Sequence, residues 1–441
     1  MDYTGGSAEA DHLCVLVHGL WGNPNHMANI AKSLRSQYPS DKLYLLLAKR
    51  NSGSFTYDGI ERGGERVCAE IEEEIALIEK RGGSITKISI VGYSLGGLVA
   101  RYAVGLLYAK GLLDKLECMN FTTFASPHLG VRTPLKGWHN HVWNVLGART
   151  LSMSGRQLFT IDKFRDTGRP LLVVLADPNS IFMSGLKKFK RHTLYSNMVN
   201  DRSAVFYTTC ISKTDPYRDL SSMQINYVKD YEDVVLDPHN PFSPKSNLGT
   251  PATFSSVAGT AVSWLRSVPF MLAVTIFVPI GIIGFLINSC IQTVRSSKRI
   301  RLHEEGRAGV KVTDYRSFPL WINEIRTEVE HAYEALNNAQ HQDYLGTETE
   351  EDDEPLDMNL EDSKVLARER RMSIPSQRTL ALAPYQFSMI ESLDSLNWHK
   401  YPVWIHRDRH SHAAIIVRWE KESFSEGRVV LKHWLKEEFI M

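Results

Sequence analysis

The first half of the chain alternates two patterns of hydrophobic and polar positions. Short apolar runs, typical of buried strands, occupy residues 12–17, 42–48, 87–92, 118–126, 170–177 and 193–199. Longer segments with apolar residues three or four apart, typical of amphipathic helices, lie at 25–37, 60–81 and 95–109. Strands that are apolar throughout and alternate with helices predict a mostly parallel sheet covered by helices on both faces.

The second half of the chain is less regular. Residues 268–287, VPFMLAVTIFVPIGIIGFLI, carry no charge and have a threonine as their only polar side chain. Residues 347–363 are strongly acidic, which predicts a disordered loop. Strand-like runs return at 401–406 and 413–418, before an amphipathic C-terminal helix near Gly427–Phe439.

These changes of pattern divide the sequence into six segments. We expect an N-terminal tail at 1–11, an α/β core at 12–250, an apolar insertion with basic flanks at 251–301, a helical connector at 302–345, an acidic disordered loop at 346–380, and a C-terminal part of the core domain at 381–441.

Composition excludes some classes of function. The chain has 441 residues and a formal net charge of +1, which gives no reason to expect nucleic acid as a partner. Its five cysteines are scattered and odd in number, so we expect reduced thiols in a cytosol-facing protein. The N-terminal residues lack a basic region followed by an apolar one, so we expect no cleaved signal peptide and no secretion. The sequence fixes no oligomeric state.

One short motif predicts a nucleophile. Residues Gly92, Tyr93, Ser94, Leu95 and Gly96 match the pattern G-x-S-x-G between a predicted strand and a predicted helix. A sharp turn there would lift the Ser94 hydroxyl above the sheet, and Gly92 and Gly96 would let the backbones pass closely. The first amides of the helix, that of Leu95 included, lack partners within the helix and can face an oxyanion. The alternative is a Gly/Ser turn without chemistry.

A second segment predicts the other oxyanion donor. The stretch LVHGLWGNPNHM at 16–27 places His18 and Gly19 at the end of the first predicted strand. The backbone N–H of Leu20 would then pair with that of Leu95 around an oxyanion. The His18 imidazole itself is expected to be a packing group.

Four stretches together resemble a known family. VLVHGLWGNPNHM, ISIVGYSLGGLVARYA, FTTFASPHLGVR and TLYSNMVNDR are similar to the serine esterase family of α/β-hydrolase lipases that is widespread in fungi and plants. The resemblance covers roughly residues 10–220, with a weaker likeness at 398–420. It implies an α/β-hydrolase fold and a lipase of the group that includes lipid-droplet phospholipases and monoacylglycerol lipases.

The general base and its orienting acid should follow Ser94 in the order acid, then histidine. Asp201 and Asp177 both follow strand-like runs and could each lie at the carboxyl end of a strand. The resemblance favours Asp201, because YSNMVNDRSAV is similar to the family's pattern around its acid.

The base is expected near the C-terminus. RDRHSHAAIIVR at 407–418 places His410 and His412 in a polar turn before an apolar run. The resemblance favours His412, and His410 is the alternative, as is a surface turn with two solvated histidines. His128, in SPHLG, is expected to be a positioning residue at the rim of the site.

These residues predict ester hydrolysis through an acyl-enzyme, with no metal and no organic cofactor. The expected substrate is an acyl ester of a glycerolipid, either phospholipid or monoacylglycerol, because a lipase must meet its substrate at an interface. Two alternatives remain. One is an inactive membrane-tethered scaffold with the hydrolase fold, and the other is an acyltransferase or protein-directed esterase using the same residues.

The apolar run at 268–287 is long enough to span a bilayer, since twenty helical residues rise about 30 Å. A single crossing would separate Ser94 from His412, so it would be compatible only with a base upstream of the run, such as His192 or His239. A buried core or lid segment is a further alternative.

The composition of the run favours a hairpin instead. Pro269 and Pro279 bracket its first half, and proline kinks or breaks a helix. Two arms, from Val268 to Ile287, would each reach about half the depth of a bilayer. Basic flanks on both sides suit entry and exit on the cytosolic face. We therefore expect a monotopic anchor on a membrane or lipid-droplet monolayer, at the endoplasmic reticulum or lipid droplets.

Ser373 lies in the basic stretch RERRMSIP, an Arg-Arg-x-Ser context that a basophilic kinase could use.

Overall fold

The computed structural model describes residues 3–132, 150–218, 220, 223–244, 280, 283–309, 313–320 and 379–441. Val268, Pro269, Pro279 and Ser373, for which the sequence makes predictions, lie outside these residues, as does nearly all of the predicted acidic loop.

A six-stranded parallel sheet forms the centre of the described chain. In space its strands run in the order β2-β1-β3-β4-β5-β8, and each pairs with its neighbours in parallel. A separate antiparallel pair, β6 and β7, lies outside it. The strands are β1 His12–Val17, β2 Leu43–Leu47, β3 Lys87–Tyr93, β4 Glu117–Phe124, β5 Arg191–Asn197, β6 Met223–Ile225, β7 Phe242–Pro244 and β8 His399–Val403.

Helices cover both faces of this sheet, as the alternating pattern predicts. The helices are α1 Ala28–Gln37, α2 Ile60–Lys80, α3 Leu95–Ala109, α4 Ser152–Leu158, α5 Leu171–Leu175, α6 Ile181–Leu186, α7 Phe206–Thr209, α8 residues 283–304, α9 Thr313–Arg316, α10 Pro384–Asp394, α11 Ser411–Ala414 and α12 Ser425–His433. A π-helical turn, Trp434–Glu438, follows α12.

Two hydrophobic clusters lie on opposite faces of the sheet because successive side chains of a strand point in opposite directions. In β1, Leu13 and Val15 belong to the cluster beneath α2 and α3, whereas Cys14 and Leu16 belong to the cluster beneath α1 and α12. Every residue of β1 and of β2 is buried, which explains why these strands are apolar throughout. The predicted mostly parallel sheet flanked by helices is confirmed.

Two predicted strands do not form strands in the structure. The run at 170–177 contains the short helix α5, and the run at 413–418 begins in the last two residues of the helical turn α11 and continues as turns. Both are buried, with Leu172, Val174 and Ile415 fully inaccessible. Periodicity cannot separate a short buried helix from a buried strand, and these runs were too short for length to decide.

The last five residues of the apolar run, 283–287, and the residues that follow it form one long helix, α8. It crosses the predicted segment boundary between residues 301 and 302. Ile287 lies within α8 and is 57% exposed. Across the parts of the chain that the structure describes, no helix combines the length and the apolar character needed to cross a membrane.

Candidate active site

Ser94 lies in a strained turn between β3 and α3. Its backbone has φ 55° and ψ −129°, a conformation that side-chain-bearing residues seldom adopt. Its N–H donates to the carbonyl of Phe124 at 2.9 Å, which anchors the turn to β4. A Cβ at position 92 would collide with the Gly97 backbone, and one at position 96 with the Val17 carbonyl oxygen. The two glycines of the motif are therefore required by close backbone contact.

Ser94, His412 and Asp201 form a continuous chain of hydrogen bonds. The distance from Ser94 Oγ to His412 Nε2 is 2.9 Å, and that from His412 Nδ1 to Asp201 Oδ2 is 2.7 Å. In this arrangement Nδ1 donates to the carboxylate, which leaves Nε2 free to accept the serine proton. Residues far apart in sequence thus have the geometry of a nucleophile, a base and an orienting acid.

The Asp201 carboxylate is buried but well supplied with donors. Besides His412, it accepts hydrogen bonds from Asn197 Nδ2 at 3.0 Å and from the amides of Ser203 and Ala204, both at 2.9 Å. Burial by itself would raise the pKa of Asp201. The charge of His412 and these hydrogen bonds outweigh burial and hold its pKa below the ordinary value. Asp201 is therefore an anion facing the imidazole.

Tyr93 and Ser411, to which the sequence motifs assign no role, hold His412 in place. The Tyr93 hydroxyl donates to the His412 carbonyl oxygen at 2.9 Å, and the two rings lie 5.2 Å apart. The neighbouring Ser411 hydroxyl donates to the carbonyl of Val199 at 3.1 Å. Tyr93 occupies the first variable position of G-x-S-x-G, so the motif itself contains no signal for this role.

The loop after β1 passes directly over the nucleophile. A Cβ at Gly19 would lie 2.7 Å from Ser94 Cβ, so only glycine fits there. Leu20 follows, and both Leu20 and Leu95 line the space in front of Ser94. Leu95 is the first residue of α3, where the helix supplies no acceptor for its amide.

His18 is a buried packing group, as its sequence context suggests. Its side chain is 4% exposed, and Nδ1 lies 3.1 Å from the carbonyl oxygen of Gly19. Burial lowers the pKa of His18 to about 4, so the ring is neutral near pH 7.

Ser94 and His412 open onto a cavity of about 410 Å³. Its lining includes six large apolar or aromatic residues, Leu20, Trp21, Val131, Leu151, Leu158 and Phe159. It also includes three arginines, Arg202, Arg409 and Arg418. A cavity with this lining can take both an apolar chain and a negatively charged group.

Part of the chain is similar to a known protein family. Residues 7–214, a little under half of the chain, match a family model described as "Putative serine esterase (DUF676)". We call these residues the esterase region because of this similarity. The esterase match includes Ser94 and Asp201 but ends far before His412, which the C-terminal part of the chain supplies.

Two yeast proteins are similar to the esterase region. "Putative lipase ROG1" of Saccharomyces cerevisiae is 31% identical over 216 residues, which are 47% of this chain and 30% of that protein. "Putative lipase C4A8.10" of Schizosaccharomyces pombe is 26% identical over 218 residues, 48% of this chain and 27% of that protein. The chain thus spans less than a third of the length of these relatives.

A solved structure with a related description is a "putative cell surface hydrolase" from Lactobacillus plantarum. It has 12% sequence identity and a TM-score of 0.27, and the match covers 46% of this chain and 75% of that one.

The alternative acid, Asp177, and the alternative base, His410, take no part in the hydrogen-bonded chain of Ser94. Asp177 is paired with Arg169 at 2.7 Å, away from the Ser94 cavity. His410 lines the cavity, but its side chain is 84% exposed and its Nδ1 lies 3.4 Å from Asp408. Neither residue makes a hydrogen bond with the Ser94 chain described above.

Two further histidines are packing groups in the esterase core. His128 is fully buried and Nε2 lies 3.0 Å from Thr123 Oγ1, so the expected rim position is wrong. Burial holds the pKa of His128 well below its ordinary value. His192 is also buried, with Nε2 2.8 Å from the carbonyl oxygen of Leu186.

No group of three His, Cys, Asp or Glu side chains among the described residues could hold a metal ion. The five cysteines are unpaired.

Proposed function

We propose that this chain is a serine ester hydrolase that cleaves acyl esters of glycerolipids at a membrane or lipid-droplet surface. The observation that carries the proposal is the hydrogen-bonded chain Ser94–His412–Asp201 at the edge of a largely apolar cavity. The partners implied are the lipid and its surface, with the enzyme facing the cytosol.

In the acylation step, Ser94 Oγ attacks the ester carbonyl carbon while His412 Nε2 takes the hydroxyl proton. Asp201 stabilises the imidazolium that forms, because its carboxylate already accepts the Nδ1 proton. The carbonyl oxygen becomes an oxyanion, and the N–H groups of Leu20 and Leu95 donate to it.

Collapse of this intermediate breaks the bond to the leaving alcohol, which receives the proton from His412. The acyl group then remains as an ester of Ser94. Water attacks that ester, His412 accepts its proton, and the reverse proton transfer releases the fatty acid and regenerates the hydroxyl. The sum is ester plus water to give acid plus alcohol.

Among glycerolipids we propose phospholipid as the substrate in preference to monoacylglycerol. The apolar part of the lining suits an acyl chain. Arg202, Arg409 and Arg418 also line the cavity, and among the described residues none of them forms an ion pair with a carboxylate. The buried Nε of Arg418 also has no hydrogen-bond partner in that part of the chain. A phosphate group would supply the missing negative charge.

The test is covalent labelling of Ser94 by a fluorophosphonate, combined with product analysis on mixed micelles of detergent and phospholipid. We expect labelling of the wild type but not of Ser94→Ala, and release of free fatty acid by the wild type only. Absence of labelling in a folded chain would favour the inactive scaffold. Labelling with transfer of the acyl group to an added alcohol, and no free acid, would favour an acyltransferase.

Preference for phosphate is tested on the same micelles. We expect Arg202→Ala with Arg409→Ala to lower kcat/KM for phospholipid about tenfold while leaving monoacylglycerol hydrolysis within about twofold. Equal losses on both substrates would contradict a role in phosphate recognition. Lys42→Ala, an exposed cation outside the cavity, is the matched control.

A further inference from the structure

Helix α8 contacts the rest of the protein through polar side chains. Ser289, Ser296 and His303 are buried and lie seven residues apart, so they share one face of the helix. Ser289 Oγ donates to the carbonyl of Thr150 at 2.5 Å, Ser296 Oγ donates to Asp58 at 2.8 Å, and His303 Nε2 lies 2.6 Å from Glu65. We call these three residues the docking face.

Charged groups reinforce the docking face. Asp58, which is fully buried, accepts from Arg299 Nη2 at 2.8 Å and from Arg66 Nη2 at 2.8 Å. The guanidinium groups of Arg66 and Arg299 both lie about 5 Å from the ring centre of Phe55. Directional bonds of this kind fix the rotation of a helix about its own axis more firmly than apolar packing does.

The opposite face of α8 is apolar and exposed. Ile283, Ile287, Ile291 and Val294 are 58%, 57%, 46% and 71% exposed. At about 100° per residue they point roughly 180° away from the docking face. A helix on the surface of a soluble protein normally has the reverse arrangement, with its apolar residues facing the core and its polar residues facing the solvent.

The same exposed face becomes basic in its second half. Lys298 and Arg301 continue the row begun by Ile283, Ile287, Ile291 and Val294, and both are exposed. Arg301 has a weak, exposed pairing with Glu305 at 3.7 Å. We call the row of Ile283, Ile287, Cys290, Ile291, Val294, Lys298 and Arg301 the exposed stripe.

A basic cleft lies beside the charged end of the stripe. It has a volume of about 620 Å³, and its lining includes Lys49, Arg50 and Arg307 as well as Arg66 and Arg299. No carboxylate lines it among the described residues. Arg50, Arg66, Arg299 and Arg307 are each paired with a carboxylate outside the lining, so among the described residues Lys49 is the cleft cation without an ion pair. The free positive charge at this end of α8 therefore lies mainly on Lys298 and Arg301.

The docking face also joins the stripe to the wall of the Ser94 cavity. Ser289 bonds to Thr150, and the next residue, Leu151, lines that cavity. Ser154 in α4 donates to the carbonyl of Thr56 and accepts from Gly59 N–H, on the loop that leads to Asp58. The helix is thus attached to the elements that frame the site.

We propose that the exposed stripe binds the surface of an anionic lipid layer, with its isoleucines and valine among the acyl chains and its basic end at the phosphates. Apolar residues followed by cations on one helix face are what an interfacial helix requires. This goes beyond the proposed function, because it assigns the surface that binds and a requirement for anionic head groups. It does not depend on Ser94.

The first experiment measures binding of the full chain carrying Ser94→Ala, so that no lipid is consumed. The vesicles are phosphatidylcholine alone, and phosphatidylcholine with roughly one-quarter phosphatidic acid. We expect Lys298→Glu with Arg301→Glu to lower affinity for the anionic vesicles at least about tenfold, and to change binding to neutral vesicles little. The difference between the two vesicles should fall as salt rises.

Substitutions of the apolar residues test the other half of the stripe. We expect Ile287→Gln with Ile291→Gln to lower affinity for both kinds of vesicle about fivefold or more. The matched control is Leu77→Gln with Lys80→Glu on α2, an exposed leucine and lysine away from the stripe. Equal losses in the control pair and the stripe pairs would overturn the proposal.

A native thiol reports directly on the stripe. Cys290 is exposed, whereas Cys14, Cys68, Cys118 and Cys210 are buried, so an environment-sensitive maleimide dye attaches at Cys290. We expect its emission to shift to the blue when anionic vesicles are added. Co-sedimentation without that shift would overturn the proposal, because another surface would then bind. A shift that grows with protein concentration without vesicles would assign the stripe to a second copy of the chain.

Fluorophosphonate labelling in detergent separates this proposal from the proposed function. In chains that retain Ser94, we expect the stripe variants to label at the wild-type rate. Vesicle binding without any labelling would overturn the esterase while leaving the stripe intact.

Discussion

At the scale of single residues, the proposed site depends on a buried carboxylate, that of Asp201, which stays ionised. Asp201 is almost fully buried, yet it faces His412 and accepts three further hydrogen bonds from Asn197, Ser203 and Ala204. A buried carboxylate without such donors would take up a proton and become neutral. It would then no longer stabilise a charged imidazole. Its surroundings therefore fix both its charge and the orientation of the imidazole.

We expect Asp201→Asn to lower kcat by a factor of about 10³ to 10⁴, because the amide no longer favours the required tautomer of His412. The measurement is steady-state hydrolysis per folded molecule, with folding checked by circular dichroism. The rival acid supplies the control. Asp177→Asn, which loses only the Arg169 ion pair, is expected to keep kcat within about twofold. A larger loss in Asp177→Asn than in Asp201→Asn would reverse the assignment.

Asp162 presents the opposite electrostatic situation. Its Oδ2 accepts from the Leu171 amide at 3.0 Å, but its buried Oδ1 has no partner among the described residues. Burial raises the pKa of Asp162 from 3.8 to about 6. Between these pH values the folded protein keeps a proton that the unfolded chain has lost, so the free energy of unfolding falls as pH rises.

In the wild type we expect the free energy of unfolding to fall by about 2 to 3 kcal/mol between pH 4 and pH 6 on account of Asp162. We expect Asp162→Asn to remove this fall. Urea unfolding of both proteins across that range measures it. The two should have similar stability at pH 4, and the variant should be the more stable at pH 7. Parallel pH profiles would contradict a raised pKa at Asp162.

At the scale of elements, the helical turn α11 positions His412, the proposed base. Tyr93 in β3 and Ser411 in α11 attach this turn to the nucleophile strand and to Val199 beyond β5. The base is thus fixed by a hydrogen bond from a residue adjacent to the nucleophile. Any movement of β3 is transmitted to both members of the Ser94–His412 pair.

We expect Tyr93→Phe to lower kcat about two- to tenfold with little change in KM, because one buried hydrogen bond to the backbone of His412 is lost. Tyr44→Phe is the control, since Tyr44 donates to Glu74 far from the site. It should lose a comparable hydrogen bond and keep kcat. An equal fall of kcat in both variants would indicate a general loss of stability.

Sequence patterns predicted most of these elements because their signals are local. The Ser94 turn was recognisable from G-x-S-x-G between a strand and a helix, and α3 begins and ends where periodicity placed it. The sequence predicts a strand where α5 lies, because a short apolar run has no measurable period. The pairing of Tyr93 with His412 spans more than 300 residues and left no pattern in either segment.

At the scale of the whole molecule, the C-terminal part completes the sheet and the site together. β8 pairs with β5, Asn29 Nδ2 donates to the carbonyl of Val417 at 2.6 Å, and Trp434 Nε1 donates to Thr122 at 3.1 Å. Trp434 is fully buried. The residues from 379 onward are thus part of the same core as β1 to β5.

A chain expressed as two pieces tests this dependence. We expect residues 1–250 alone to give no fluorophosphonate labelling of Ser94, since they lack His412 and expose the edge of β5. Co-expression of residues 251–441, which include α8 as well as His412, should restore labelling, and the same piece carrying His412→Ala should not. Labelling of residues 1–250 alone at the full rate would show that the base lies upstream.

The order of these parts along the chain also sets an order in time. Synthesis proceeds from the N-terminus, so Ser94 and Asp201 leave the ribosome first, the stripe of α8 next, and His412 after both. The serine hydroxyl has no base until the last part of the domain has been made. A nascent chain would therefore display the proposed lipid-binding helix before it could hydrolyse an ester, and the proposed enzyme could reach its surface while it is still inert.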